Sequence, residues 1–411
     1  MARIIIVGGS LGGLFAANLL LRAGHQVSVL EKSTEPLDGR GAGIVTHSAM
    51  MTALRAAGAT IDASFGVEVQ TRVVINRDGQ VSTSLRLPQV LTSWGRLYEI
   101  LYALLPAICH KSGAVVKSIG QDPQGVHAVC ADGSVFSADL LVASDGLRSV
   151  VRSQFAPSVL PLYAGYVGWR GVCDEAVLSR LTLDSVFDCF GFALPAGEQL
   201  IGYPVAGKNN ATVRGQRRFN FVWYRPASDP ATLAALLTDT DGNHYPLGIP
   251  PNRIAWRQIA AMREAARRLL APQFAEIIEK TAQPFLQPIC DVASTQIAFG
   301  RVLLMGDAAF VARPHVGMGV TKAAEDAMAI AQAIQQFGAT VDAGLAYQNT
   351  RLRAGQAVVE RGRQLGRYVQ HAGSAQALPR DAMRVLQETA IDLNKPTGYH
   401  LTSQCITSAC G

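Results

Sequence analysis

Arg3-Ile-Ile-Ile-Val7, then Gly8-Gly-Ser-Leu-Gly-Gly13, then Leu14-Phe-Ala-Ala-Asn-Leu-Leu-Leu-Arg22 stand in unbroken succession near the start of this 411-residue chain. The first run is apolar and β-branched, which suits a short buried strand. The second is a glycine-rich turn, and the third has the apolar spacing of a helix. Gly24 stops that helix, Val27-Ser-Val-Leu30 reads as a second strand, and Glu31 stands at its end. The order is strand, glycine turn, helix, strand, acid.

Each part has a physical use. Gly8 permits a tight turn out of the strand, and Gly13 lets helix and strand approach closely. Free N–H groups at the helix start, with the positive end of its dipole, hold a pyrophosphate. Glu31, 23 residues (31 − 8) after the first glycine, accepts hydrogen bonds from a ribose diol. The middle glycine of the usual pattern is replaced by Ser10, whose hydroxyl is small and can bond a phosphate oxygen. A dinucleotide site is expected.

The remaining chain extends this plan. Residues 35–48 form a loop and strand, and Gly39, Gly41 and Gly43 suggest backbone lying against a flat ligand. Helices are expected at 49–58 and 93–105, and strands over 67–87 with a turn at Arg77-Asp-Gly79. Shorter strands are expected near 114–119, 126–130 and 135–136. Leu140–Ala143 reads as a buried strand ending in Ser144-Asp145-Gly146, and the strand within 301–309 ends in Gly306-Asp307. Between them, Tyr163–Cys173, Ser185–Phe192, Gln199–Val205 and Arg218–Tyr224 read as an inserted antiparallel sheet. Residues 230–282 are mostly helical with a proline-rich break at 246–251. Helices follow at about 320–336 and 342–370. In an open parallel sheet, ligands bind beyond the carboxyl ends of the strands. If the three strands ending at Gly8, Asp145 and Asp307 are neighbours, one extended cofactor crosses all of them.

Composition narrows the classes. Hydrophobic residues make up 49% of the chain and charged residues 17%, enough apolar material for a large core. No apolar run reaches the ~18 residues of a membrane span, and the chain starts directly in a strand without a basic, apolar leader. A cytoplasmic protein with no membrane partner is therefore expected. Seven cysteines (Cys109, Cys130, Cys173, Cys189, Cys290, Cys405 and Cys410) are scattered without a CxxC pair. They read as reduced structural thiols, and no metal site is expected. The net charge is +6. The late arginines Arg351, Arg353, Arg361, Arg363 and Arg367 suit a solvated helix face, without the aromatic interleaving of a nucleic-acid surface. A homodimer is compatible with the sequence.

The three signatures together, Gly8–Gly13, Asp145-Gly146 and Gly306-Asp307, make the chain resemble the single-component FAD-dependent aromatic hydroxylases over residues 3–335. Within that family it is most similar to the 2,6-dihydroxypyridine 3-monooxygenase branch. The stretches that carry this are Tyr163-Ala-Gly-Tyr-Val-Gly-Trp-Arg-Gly171, Gly300-Arg-Val-Leu-Leu-Met-Gly-Asp-Ala-Ala309, Arg313-Pro-His315 and Lys322-Ala-Ala-Glu-Asp-Ala327. The resemblance implies an α/β, Rossmann-like FAD-binding fold of the para-hydroxybenzoate hydroxylase type. An inserted, mostly antiparallel β-sheet substrate domain and C-terminal helices would complete it. The expected division is an FAD-binding domain at 1–160 and 286–340, a substrate-binding sheet with helices at 161–285, a helical segment at 341–395 and a tail at 396–411.

The resemblance further implies FAD, reduced by NADH or NADPH without a separate nicotinamide domain, and no second βαβ fingerprint is present. Reduced flavin would react with O2, form a C4a-hydroperoxide and hydroxylate a small electron-rich aromatic or N-heteroaromatic ring. Adenosine is expected at Glu31 and Lys32, pyrophosphate at Gly8, Ser10, Leu11 and Gly13, and ribityl near Asp307. Asp145, Gly43, Pro314, Gly317 and Gly319 complete the expected cofactor set. Three positions depart from the family pattern. Phe310 replaces a histidine, Ser144 replaces an alanine, and Trp94 falls where the family has an FAD-contacting arginine, with Arg96 nearby as a substitute.

The flavin performs the oxidation, so the protein must position the ring, exclude water and help a ring hydroxyl ionise. A histidine or tyrosine would accept or relay that proton. His315, in the loop nearest the flavin, His47 after the glycine turn, and Tyr203 on the roof of the inserted sheet are the candidates, with Tyr224 behind them. Against each stands a plain structural role: a helix cap for His315, a surface loop for His47, an ordinary strand tyrosine for Tyr203. Arg313 either attracts an anionic substrate or pairs with an acid. Other readings of the chain are a flavin hydroxylase of urate, salicylate or a polyketide ring, a non-catalytic nucleotide-binding protein, and an NAD-dependent dehydrogenase. The last two give no reason for the Asp-Gly and Gly-Asp pairs.

Overall fold

Three isoleucines and a valine in a row leave no polar face, so the strand they form belongs inside a sheet covered on both sides. The computed structural model describes residues 1–35, 37, 43–246, 248–373 and 380–393. In it Arg3–Val7 is an interior strand of a six-stranded sheet. Leu140–Ala143 and Gln26–Glu31 flank it in parallel. Val302–Leu304 pairs in parallel with Leu140–Ala143, and His110–Ser112 with Gln26–Glu31. Only Ala298–Phe299, at the edge, runs antiparallel. Helices Leu11–Arg22 and Gly319–Phe337 share one core with this sheet. Leu14, Phe15, Leu20, Ile330 and Ile334 are buried there against Ile4–Val7, and each such side chain contributes roughly 1.5–3 kcal/mol on leaving water.

A second, nine-stranded sheet is the larger surface. Its order is Phe310–Val311, Phe285–Ala293, Leu162–Asp174, Arg218–Pro226, Gln199–Val205, Phe190–Ala193, Val67–Ile75, Val81–Ser93 and Gly43–Val45. The pairings are antiparallel except that of Phe190–Ala193 with Val67–Ile75. One core joins Trp169, Phe219, Phe221 and Trp223 to Met262, Phe274 and Ile277 of helices Trp256–Leu269 and Pro272–Lys280. A separate core collects Tyr166, Phe190, Phe192, Tyr203 and Tyr224, with Val369 and Leu386 from the C-terminal helices. Alternation along the strands separates Tyr166 from Trp169, and Tyr224 from Trp223. A small meander of Val116–Gln121, Val126–Cys130 and Val135–Ala138 completes the sheets.

Two expectations need correction. Residues 1–160 do not all serve the nucleotide-type sheet, because Gly43–Val45, Val67–Ile75 and Val81–Ser93 lie in the nine-stranded sheet. They join it through Val67–Ile75, whose partner Phe190–Ala193 is more than a hundred residues away, and such pairing leaves no local signal. Ser185–Phe192 is not a strand throughout. Ser179 Oγ accepts from Thr182 N–H and starts the helix Arg180–Ser185, so strand geometry begins only at Phe190. Gly39 and Gly41, and the tail at 396–411 with Cys405 and Cys410, lie outside the described residues. Among the described residues no helix is long and apolar enough to cross a membrane, and no group of acids, histidines and cysteines could hold a metal.

Candidate active site

The strand order places the carboxyl ends of Val302–Leu304, Leu140–Ala143, Arg3–Val7 and Gln26–Glu31 side by side. Gly306-Asp307, Ser144–Gly146, Gly8–Gly13 and Glu31 therefore form one row. Two cavities follow that row. One, of about 250 Å3, is lined by Gly8, Ser10, Glu31, Lys32, Leu37 and Asp145 among others. The other, of about 340 Å3, runs under Asp307 and the Pro314–Gly319 loop to the nine-stranded sheet. Ser10, Trp94, Ser144 and Gly146 line both, so the two are ends of one groove.

At the Glu31 end the turn is held by the acid itself. Its two carboxylate oxygens accept from Gly9 N–H (2.8 Å) and Ser33 N–H (2.8 Å). Gly8 has φ +102°, and a Cβ there would stand 2.4 Å from the Ser144 carbonyl oxygen. A Cβ on Gly13 would stand 1.9 Å from the Gly8 oxygen, so helix and turn touch backbone to backbone. Helix Leu11–Arg22 starts at Ser10 with no side-chain cap and no acid in its first turn. Its opening N–H groups lack intrahelical partners and border the groove at Leu11 and Gly12. That is an anion-binding arrangement. Asp145 accepts from Val150 N–H (2.8 Å) and Val151 N–H (3.3 Å), while its other oxygen is buried without a partner. Burial pushes its carboxyl above the ordinary range, against those hydrogen bonds.

The opposite end repeats the device. Gly317 turns at φ +67°, Met318 caps helix Gly319–Phe337 without a side-chain bond, and the loop lines the cavity. Asp307, half exposed, lies 3.7 Å from the fully buried Lys322 Nζ. Gly43 N–H donates to Asn220 Oδ1 (2.9 Å), and a Cβ on Gly43 would run into the Tyr203 ring. Above lies the nine-stranded sheet with Tyr203, Tyr224, Arg170 and Gln287. Arg170 Nη1 donates to Gln287 Oε1 (3.0 Å), and its Nε is buried without a partner. Burial raises the Tyr203 phenol to about 12, with Arg170 pulling it down. Tyr224 is raised further by burial, and its hydroxyl has no partner. Both phenols are therefore neutral at ordinary pH, and each can donate one hydrogen bond.

Most of the expected contacts line the groove: Gly8, Ser10, Leu11, Glu31, Lys32, Gly43, Asp145, Tyr203, Asp307, Pro314, Gly317 and Gly319. Four do not. Gly13 sits behind the turn, where its smallness serves packing. Arg96 turns away, with Nη2 donating to Ser64 Oγ (2.8 Å) and Nη1 3.7 Å from Glu99, while Trp94 lines the groove. His47 is buried, its Nδ1 2.8 Å from Thr321 Oγ1, tying the start of helix Ser48–Ala56 to helix Gly319–Phe337. His315 is fully buried but points away from the cavity, with Nε2 2.9 Å from Tyr166 Oη. Burial, with Arg380 and Arg313, holds its imidazole well below 6.5 and so uncharged. The Arg313 guanidinium grips buried Asp291. Sequence reading missed Arg170 and Gln287, and took Trp94 only as a departure from the family pattern. Strand alternation was a usable signal for Arg170, which shares a sheet face with Tyr166 and Gly168, opposite Trp169.

The donor set fits FAD: an acid for a ribose, two uncapped helix starts for phosphate and a polar ring edge, and a groove linking them. Comparison with known proteins agrees. Residues 163–291 match a family model described as FAD binding domain-like. The chain is 31% identical over 376 residues to 2,6-dihydroxypyridine 3-monooxygenase of Paenarthrobacter nicotinovorans, covering 90% of this chain and 92% of that one. It is 24% identical to 6-hydroxynicotinate 3-monooxygenase of Bordetella bronchiseptica, over 82% and 83% of the two chains. The solved structure of 2,6-dihydroxypyridine-3-hydroxylase from Arthrobacter nicotinovorans superposes with a TM-score of 0.87 at 28% identity, covering 96% of this chain and 98% of that one. A variant of Klebsiella pneumoniae HpxO complexed with FAD shares the fold at a TM-score of 0.75 and 23% identity, over 90% of this chain and 91% of that one. Fold and groove together are those of a flavin-dependent oxygenase. The chain belongs to the FAD-dependent monooxygenase family and is an aromatic monooxygenase that uses FAD.

Proposed function

We propose that this enzyme hydroxylates a small electron-rich N-heteroaromatic ring of the hydroxypyridine class, with NADH or NADPH as reductant and O2 as oxygen source. The observation that carries this reading is the roof of the ring-end cavity. It presents two neutral phenols and one guanidinium, Tyr203, Tyr224 and Arg170, over an otherwise largely apolar space. Likeness to two hydroxypyridine monooxygenases supports it.

FAD would lie with its ribose at Glu31, its phosphates at Ser10–Gly12, its ribityl chain near Asp307 and its ring edge at Gly317–Gly319. When bound and reduced, it supplies the chemistry that activates O2. The chain does the rest. Tyr203 and Tyr224 donate to ring substituents and set which carbon faces the cofactor. Arg170 favours the anionic form of a ring hydroxyl, which enriches the neighbouring carbons in electrons. Pro314, Val316 and the sheet exclude water from the cavity.

The test begins with FAD content and NADH oxidation by the purified protein. 2,6-Dihydroxypyridine, 6-hydroxynicotinate, urate and salicylate are then supplied in turn. A hydroxypyridine should stimulate NADH oxidation most and leave a product one oxygen atom heavier. Stimulation by urate or salicylate alone would replace the substrate class, and no stimulation by any ring would remove the reading. Arg170→Met should raise KM for the ring substrate and leave KM for NADH unchanged.

A further inference from the structure

Helix Trp94–Ala103 carries Trp94, Tyr98 and Tyr102 on successive turns, four residues apart, so that their rings share one face. The Trp94 and Tyr98 centroids are 5.1 Å apart with planes 11° apart, and those of Tyr98 and Tyr102 are 5.3 Å and 17° apart. Both are offset-stacked separations. His110 meets Tyr102 edge-on at 5.3 Å. Trp94 lines both ends of the FAD groove. Tyr98 is 5% exposed and Tyr102 is 41% exposed. Indole and phenol are the most easily oxidised aromatic side chains, and here they form one stacked column that begins at the cofactor groove and ends in water. Apolar packing alone does not explain its outer end, since burial stabilises in proportion to the area removed from water and two-fifths of Tyr102 stays wet.

We propose that Trp94, Tyr98 and Tyr102 are a one-electron relay between bound FAD and the solvent. The proposal rests on the placement of FAD in this groove. Under blue light Trp94 gives one electron to the excited flavin. Tyr98 returns an electron to Trp94, and Tyr102 returns one to Tyr98. Tyr102 loses its phenol proton to water in the same exchange, so a neutral tyrosyl radical is left at the surface. A thiol in solution restores Tyr102 by giving up one electron and one proton, and two such thiyl radicals join as a disulfide. In the working enzyme the same column carries an electron to any oxygen-derived radical left in the groove by O2 consumption without substrate. The damage then ends on a surface residue that cellular thiols can repair.

The test uses the FAD-loaded enzyme, with FAD content measured first. Deoxygenated samples containing dithiothreitol are illuminated with blue light while flavin bleaching and the tyrosyl radical signal are followed. The wild type should bleach and show the radical. Tyr98→Phe should bleach severalfold more slowly and lose the surface radical, with FAD content unchanged, and Tyr102→Phe should lose the long-lived radical. Trp94→Phe should lengthen the flavin fluorescence lifetime. Wild-type bleaching and radical signals in both tyrosine variants, with an unaltered lifetime in Trp94→Phe, overturn the relay alone. A protein that binds no FAD overturns the cofactor placement and the relay with it.

Discussion

The ring of Tyr224 lies against the imidazole of His315, with centroids 3.9 Å apart and planes 37° apart. The cavity is lined by Tyr224 and not by His315. His315 shares a hydrogen bond with Tyr166 Oη through Nε2, and its Nδ1 is buried without a partner. The histidine therefore props a cavity-lining phenol from behind.

This has a consequence for stability against pH. His315 is held well below 6.5 in the folded chain by burial, then by Arg380 and Arg313. Unfolded, it titrates near 6.5. Below that pH the unfolded chain takes up a proton that the native chain refuses. Stability therefore falls as pH drops, by about 1.4 kcal/mol per pH unit from this group. His315→Gln should remove that share of the slope. Urea midpoints measured between about pH 7.5 and pH 5.5 should flatten in the variant, and parallel slopes would contradict the assignment.

Tyr203, raised by burial to about 12, stays protonated through the working pH range and acts as a donor. Tyr203→Phe should cost about 0.5–1.5 kcal/mol of ring binding, a KM increase of a few-fold to about tenfold. The pH profile of kcat/KM should keep its shape. A profile that loses a limb in the variant would mean that Tyr203 is the proton acceptor instead.

Gly13 and Gly24 make a paired test of close approach against backbone strain. A Cβ at Gly13 would meet the Gly8 oxygen at 1.9 Å, whereas at Gly24, φ +84°, it would meet nothing within 4 Å. Gly13→Ala should lower stability by roughly 1–3 kcal/mol through overpacking, and should also lower the FAD-to-protein ratio. Gly24→Ala should cost roughly 1–2 kcal/mol through its left-handed φ and leave FAD content unchanged. Thermal unfolding and flavin absorbance read both. Equal loss of FAD in the two variants would refute the idea that the turn specifically shapes the phosphate site.

Arg72 closes the ring end from a distance. Fully buried, it donates to the carbonyls of Leu386, Thr389 and Ala390 at the end of helix Ala382–Glu388. Ala390 in turn lines the cavity and donates its N–H to the His315 carbonyl oxygen (2.9 Å). Arg72→Met should destabilise the protein by roughly 3 kcal/mol, since hydrogen bonds from a charged donor are lost and buried carbonyls are left bare. Residues 381–392 should become protease-sensitive before the rest of the chain unfolds. Cleavage that begins elsewhere would show that Arg72 does not hold this segment.

What could be read from the chain alone were features carried by neighbours in sequence. Gly8, Gly13 and Glu31 lie within one strand–turn–helix–strand unit, and Asp145 and Asp307 each end an apolar run, so residue type and spacing announced the carboxyl edge of a parallel sheet. That is a local argument, because backbone sterics and helix-terminus electrostatics act over a few residues. The tertiary structure alone decided which side chains reach the cavity. His315 and His47 sit in the expected loops yet turn into the core, toward Tyr166 and Thr321. Arg170 and Gln287 came unforeseen to the groove wall. Side-chain direction depends on the pairing of strands more than a hundred residues apart and on which core each face joins, and no short window of sequence contains that information.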